Sequence, residues 1–167
     1  MNEYVRSLVP RYKSCGLLID TNILLLYFVG LFDRSWVERF KRTRDRYSAQ
    51  DFDLLMDIVL QFDRIVTTPN VLSEVSNLSN QWAEPGRTKY FERFAQEINR
   101  LSEEYVVSAD AAQASCFPHL GLTDAGIMHL AHDAYLVLTD DLELFGRLTK
   151  AGVDVINFSH LRPINIF

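Results

Sequence analysis

The sequence has no apolar run near the ~20 residues that a membrane span requires; Leu24 to Val29 is representative, and charged residues soon follow it. A spanning role is excluded. Met1 to Lys13 mixes Glu3 and Arg6 with apolar residues and shows neither a long apolar segment nor a small-residue cleavage site, so secretion is not expected. Cysteine is scarce. Cys15 and Cys116 build no disulfide framework and stand at no metal-ligand spacing, which makes a reducing, cytoplasmic setting the expectation and a structural role for both thiols the simplest reading. Net positive charge is missing as well: a formal charge of −5 argues against a protein that coats nucleic acid through a general basic surface. Repeats, low-complexity runs and linkers are absent.

What is present is a chain of 167 residues, 48% hydrophobic and 23% charged, with length for one domain and one core. Gly16 to Ile19 reads as a short buried strand that delivers Asp20 at its carboxyl end. Asn22 to Gly30 reads as an apolar helix with Gly30 as its stop. Trp36, Val37 and Phe40 recur at helical spacing among basic residues, so an amphipathic helix is predicted over Arg34 to Tyr47, and another from Phe52 to Asp63. Ile65 to Thr67 is a β-branched strand, and Thr68-Pro69 opens a helix that carries Glu74. A further amphipathic helix covers Arg87 to Leu101, so helices are added at about 31–63 and 86–101. Tyr105 to Val107 reads as a minor strand and Ala109 to Ser115 as a short helix. Thr123 is placed as the N-cap of a helix whose first turn holds Asp124. Tyr135 to Thr139 is a strand ending in Asp140 and Asp141, Leu142 to Lys150 a helix closed by Gly152, and Val153 to Phe158 the last strand.

Strands alternating with helices imply an α/β protein, an α/β/α sandwich with a mainly parallel central sheet. In such sheets functional groups gather beyond the carboxyl ends of the strands, where strand order reverses. Asp20, Asp140 and Asp141 each follow a predicted strand, so a site there is the default expectation.

Four local patterns carry the functional reading: Leu18-Ile19-Asp20-Thr21-Asn22, Pro69-Asn70-Val71-Leu72-Ser73-Glu74-Val75, Gly121-Leu122-Thr123-Asp124-Ala125 and Leu138-Thr139-Asp140-Asp141-Leu142. Together, in this order and over Leu17 to Phe158, they resemble the PIN-domain family. The resemblance implies a single PIN-like domain and a Mg²⁺- or Mn²⁺-dependent endoribonuclease, often the VapC-type toxin of a toxin–antitoxin pair. It also implies that Asp20, Glu74, Asp124 and Asp141 are catalytic acids and metal ligands, with Asn22 and Thr139 in support. The family's Thr-x-Asp register favours Asp141 over Asp140, which stays in view as a substitute. RNA is the implied substrate; an antitoxin protein and a homodimer are the implied partners. Small toxin members lack the long stretch between Asp20 and Glu74.

The chemistry is consistent with the acids. Two like charges at about 4 Å repel by roughly 4 kcal/mol at an effective dielectric near 20, so clustered carboxylates take up protons or bind cations. All-oxygen ligands suit Mg²⁺ or Mn²⁺, which takes one or two carboxylates directly and others through water. Asn22 is expected to orient Asp20 or hold its helix, and the Thr139 hydroxyl to position a water or phosphate oxygen.

Each motif also has a structural reading. Asp124 suits any helix first turn, Asp20 a turn, Asp140 and Asp141 the start of a helix, and Glu74 a solvated surface. Nine of the 17 basic residues precede Tyr47. Arg39, Arg42 and Arg46 would share a helical face and are candidate RNA contacts, although a solvated surface fits equally well. His119, His129 and His132 read as surface or packing residues, and Trp36, Trp82, Phe91 and Phe94 as core or interface aromatics rather than base-stacking ones. Competing functions are an inactive PIN-fold binding module and a flap-nuclease-like DNA enzyme, whose DNA-binding appendages have no clear counterpart here. A haloacid-dehalogenase-like phosphatase fits less well, since Asn22 stands where a second Asp is needed and no downstream lysine motif appears. A receiver domain fits worse, because its paired acids belong near the first strand.

Overall fold

A computed structural model describes residues 3–132 and 134–162. Five strands form one all-parallel sheet in the order β3-β2-β1-β4-β5, with β1 Leu17–Ile19, β2 Ile65–Thr67, β3 Ser102–Glu103, β4 Leu136–Thr139 and β5 Val155–Asn157. The residues of β1, β2 and β4 are buried without alternation, the signature of strands covered on both faces. Helices flank the sheet, which gives the α/β/α sandwich. Order reverses between β1 and β4, since the chain runs from β1 to β2 on one side and from β4 to β5 on the other.

The helices follow from their caps and apolar faces. After α1 (Glu3–Tyr12), α2 (Thr21–Phe32) is apolar nearly all round because it is packed on several sides, against α3 (Ala49–Val59), α4 (Pro69–Ser79), α5 (Gly86–Ile98), the turn at Arg34–Trp36 and β4. The Ser48–Asp51 capping box starts α3, and the buried Asp51 also receives both arms of the Arg162 guanidinium at 2.8 Å, pinning the C-terminal segment there. Thr68 caps α4 through the Val71 N–H at 3.2 Å, with Pro69 at the first position. The remaining helices are α6 (Ser108–Ala112), α7 (Phe117–Ala131) and α8 (Leu142–Lys150).

Several expectations are corrected. No helix is predicted over α1, although its buried Val5, Leu8 and Tyr12 recur at helical spacing; it runs on through Pro10 and is tied down by Arg11 and Tyr12 bonding Asp154. Arg34 to Tyr47 is not a continuous α-helix; a 3-10 turn at Arg34–Trp36 leads into successive tight turns. In these, Trp36, Phe40 and Thr43 each accept two backbone N–H groups, and the buried Thr43 hydroxyl bonds the Val37 and Phe40 carbonyls. Such side-chain bonds compete with the helical ladder while keeping buried residues three or four apart, so the periodicity mimics a helix. The minor strand lies at Ser102–Glu103, before the exposed Tyr105. Thr123 is not a cap either: α7 begins earlier and is broken at Gly121, whose φ of 77° restarts the helix.

Gly30 is likewise not a stop. It lies buried inside α2, where an added methyl would run into the Phe52 ring of α3. Gly30→Ala should therefore destabilise the protein by about 1–3 kcal/mol through overpacking, despite alanine's better helix propensity. Urea denaturation checks this, and unchanged stability would show that the α2–α3 approach has slack.

Candidate functional site

The reversal of strand order places the carboxyl ends of β1 and β4 side by side. Asp20, the residue after β1, takes a backbone bond from its own N–H to Leu138 O (3.0 Å), and its carbonyl accepts Leu24 N–H to begin α2. Its side chain makes no capping bond. Instead the Thr139 hydroxyl, at the end of β4, donates to Asp20 Oδ2 at 2.6 Å and accepts the Asp141 N–H at 2.9 Å. Thr139 is fully buried, so it fixes two acids and cannot reach a water or phosphate in the manner expected from its sequence. Asp141 caps α8, with Oδ1 accepting the Glu143 and Leu144 N–H groups at 2.7 and 2.9 Å. Oδ2 has no donor among the described residues.

Glu74 enters from α4 and Asp124 from the part of α7 after the Gly121 break. Two hydroxyls hold Glu74: Thr21 donates to Oε2 at 3.0 Å and Thr123 to Oε1 at 2.6 Å. Asp20, Glu74, Asp124 and Asp141 line one cavity of about 180 Å³, together with Thr21, Asn22 and Leu78. That is room for about six waters at ~30 Å³ each, the space of a hydrated ion. Among the described residues no three acidic, histidine or cysteine side chains are already arranged to grip an ion directly. The carboxylate, hydroxyl and amide oxygens of the lining and the cavity's size fit a hard cation such as Mg²⁺ or Mn²⁺ that retains most of its water.

The charge balance is consistent with such a ligand. Burial, with the nearby Asp140 and Asp141 charges, pushes Asp20 up to about 6 against its Thr139 bond. Asp124 rises to about 7, chiefly by desolvation and then by Asp20, Asp141 and Glu74. The cavity is short of positive charge.

Asp140 turns away from the cavity. Its Oδ2 accepts Tyr47 Oη–H at 2.5 Å and Arg46 Nη2–H at 3.2 Å. Burial pushes the Tyr47 phenol up, and the Asp140 charge adds to it, so the phenol remains a donor. Arg46 also donates to Asn22 Oδ1 at 2.9 Å. Asn22 thus links the cavity to the segment after α2 rather than bonding Asp20. The three arginines do not form one helical stripe: Arg42 lines a cleft with Arg46 and lies against the Gln81 amide, while Arg39 lines a separate aromatic cavity. His119, His129 and His132 are exposed and line none of this cavity, and both cysteines are free. Thr21, Thr123 and Tyr47 were not read from sequence as site residues. The available signal was a threonine beside each acidic position of three motifs: Thr21 after Asp20, Thr123 before Asp124 and Thr139 before Asp140-Asp141. No described helix is long and apolar enough to cross a membrane.

Comparison with protein-family models, with characterised proteins and with solved structures finds no match to this chain.

An acid whose folded-state value exceeds its ordinary 3.8 holds its proton longer when folded, so the stability it contributes is complete below about 4 and is lost as pH rises. For Asp20 and Asp124 the window runs from about 4 to about 6 and 7. Metal-free protein should lose melting temperature across that range. Asp124→Asn should flatten the fall and melt higher above pH 7, by about 2–4 °C per kcal/mol relieved. Scanning calorimetry in EDTA against pH measures this; identical profiles for the two proteins would disprove the crowding of charge.

Proposed function

We propose that the chain is a divalent-metal-dependent endoribonuclease of PIN type, acting in the cytosol. The observation that carries the reading is the gathering of Asp20, Glu74, Asp124 and Asp141 around one cavity at the switch point of a parallel sheet. These are the four acids on which the sequence resembles that family.

The reaction is attack of water on a phosphodiester phosphorus: the water oxygen bonds phosphorus, the bond to the 3′ oxygen breaks, and that oxygen takes up a proton. The products are a 5′-phosphate and a 3′-hydroxyl. Asp20 and Asp141 would hold a hard dication, which when bound would supply Lewis-acid charge and make water easier to deprotonate. Glu74, locked by Thr21 and Thr123, and Asp124, across the cavity, orient the attacking water and receive its proton. Thr139 is a positioning residue that keeps Asp20 and Asp141 aimed together. In the family that the sequence resembles, such enzymes often serve as toxins held by an antitoxin and pair through their helices. The 31–63 segment and α5 give this chain a substrate surface that small toxin members lack.

The test is cleavage of single-stranded RNA, structured RNA and DNA with Mg²⁺ or Mn²⁺ titrated in. Asp20→Asn should abolish cleavage while leaving the circular dichroism spectrum and RNA binding intact; full activity in that variant overturns the assignment. Thr139→Val should lower activity or metal affinity by roughly 10–100-fold. Cleavage of DNA alone would redirect the reading to a DNA nuclease, and folded protein that cuts nothing would redirect it to a binding module.

A further inference from the structure

Three cavities adjoin through shared residues. The acidic cavity shares Asn22 and Leu78 with a cleft of about 230 Å³ lined by Lys41, Arg42 and Arg46. Lys41 also lines the next cavity, about 520 Å³, whose walls are Trp36, Phe40 and Trp82 with Arg39 at the edge. That volume lies within the ~300–1,000 Å³ usual for ligand sites. The path therefore runs from carboxylates to cations to aromatic rings.

Three of the cations on it have no described carboxylate partner, although Arg42 lies against the Gln81 amide. Arg39, Lys41 and Arg42 are exposed and form no ion pair with a described carboxylate, while Arg46 is held by Asp140 at the junction with the acidic cavity. Two acids line the same path, and each already has a partner: Asp45 pairs with Arg44, and Glu84 accepts from Thr88. Trp82 is the floor of the aromatic cavity, with Phe40 and Tyr90 stacked at 4.8 Å. Its buried Nε1–H has no acceptor among the described residues. Trp36 is tilted against it at 47° and is only half-buried, which leaves this indole as the ring surface open to a planar ligand.

We propose that this aromatic cavity takes an unpaired base of the RNA substrate, while the intervening phosphates pass Lys41, Arg42 and Arg46 towards the acidic cavity. This inference rests on the nuclease reading for the identity of the strand. Stacking on an aromatic ring with cations tracking the backbone is the general physics of single-strand binding. A paired base has both faces covered by its neighbours and cannot enter, so the site selects single-stranded segments.

Trp36 and Trp82 are the only tryptophans in the chain, so indole emission, excited where tyrosine does not absorb, reports on this cavity. The full chain, held in EDTA so that nothing is cut, is titrated with a short single-stranded oligoribonucleotide while emission and anisotropy are followed together. Emission should be quenched along the anisotropy curve, and neither a duplex of the same sequence nor a fully abasic strand should quench it. Trp36→Leu should weaken binding by roughly 5–100-fold. Replacing Lys41 and Arg42 by Gln should lower the slope of log K against log salt by about 1.4. Binding with unchanged emission, equal quenching by the abasic strand, or no binding at all would overturn the inference. So would emission that shifts with protein concentration as a dimer forms in sedimentation, which would assign the cavity to a second copy of the chain. Cleavage with Mn²⁺ is scored separately: cleavage without quenching removes the base pocket and leaves the nuclease, and quenching without cleavage does the reverse.

Discussion

The hydroxyl of Thr139 joins the two strand ends on which the site is built. It donates to Asp20 beyond β1 and accepts the backbone N–H of Asp141 beyond β4, at 2.6 and 2.9 Å. Parallel pairing of Ile19 with Leu138 brings the strands together, but pairing alone leaves side chains at the strand ends free to choose rotamers. A hydroxyl with no solvent exposure removes that choice, because it satisfies its donor and acceptor capacity only in one arrangement. Positions of the two acids are thereby fixed before any ligand arrives.

Holding carboxylates together costs free energy, and the competing magnitudes show which effect prevails. A hydrogen bond to a charged group contributes about 1.5–3 kcal/mol net. Thr139, Thr21 and Thr123 supply three such bonds, one to Asp20 and two to Glu74. Asp20 still rises to about 6 and Asp124, to which no hydroxyl donates among the described residues, to about 7. At Asp20 burial and like charge therefore outweigh the Thr139 hydroxyl, and the deficit is of a sign that a cation offsets. The threonines set geometry, and the charge is left for a ligand to balance.

The fold was legible because its signals were local. Apolar β-branched and aliphatic runs at Leu17, Ile65 and Leu136, together with Thr68-Pro69 before α4, state strand and helix without reference to the rest of the chain. The four acids were legible as motifs, although no single residue revealed that Glu74 and Asp124 would face Asp20. What escaped depends on partners distant in sequence. Gly30 looked like a stop until Phe52 was seen against it, and Asn22 looked like a partner of Asp20 until Arg46, 24 residues later, claimed its carbonyl. Thr43 concealed the turns of 34–47 by preserving helical spacing.

That irregular segment also links the acids to their surroundings. A straight α-helix would have set Arg39, Arg42 and Arg46 along one face as a solvated stripe. Breaking it into turns sends Trp36 and Phe40 inward onto Trp82, exposes Lys41 between two cavities, and brings Arg46 back to Asp140 beside the end of β4. The buried Tyr47 and Asp140 then anchor the end of the segment to the sheet through a bond of 2.5 Å. The residues that hold the acids and those that line the adjoining clefts therefore share one mechanical connection, so a displacement of the segment moves both together.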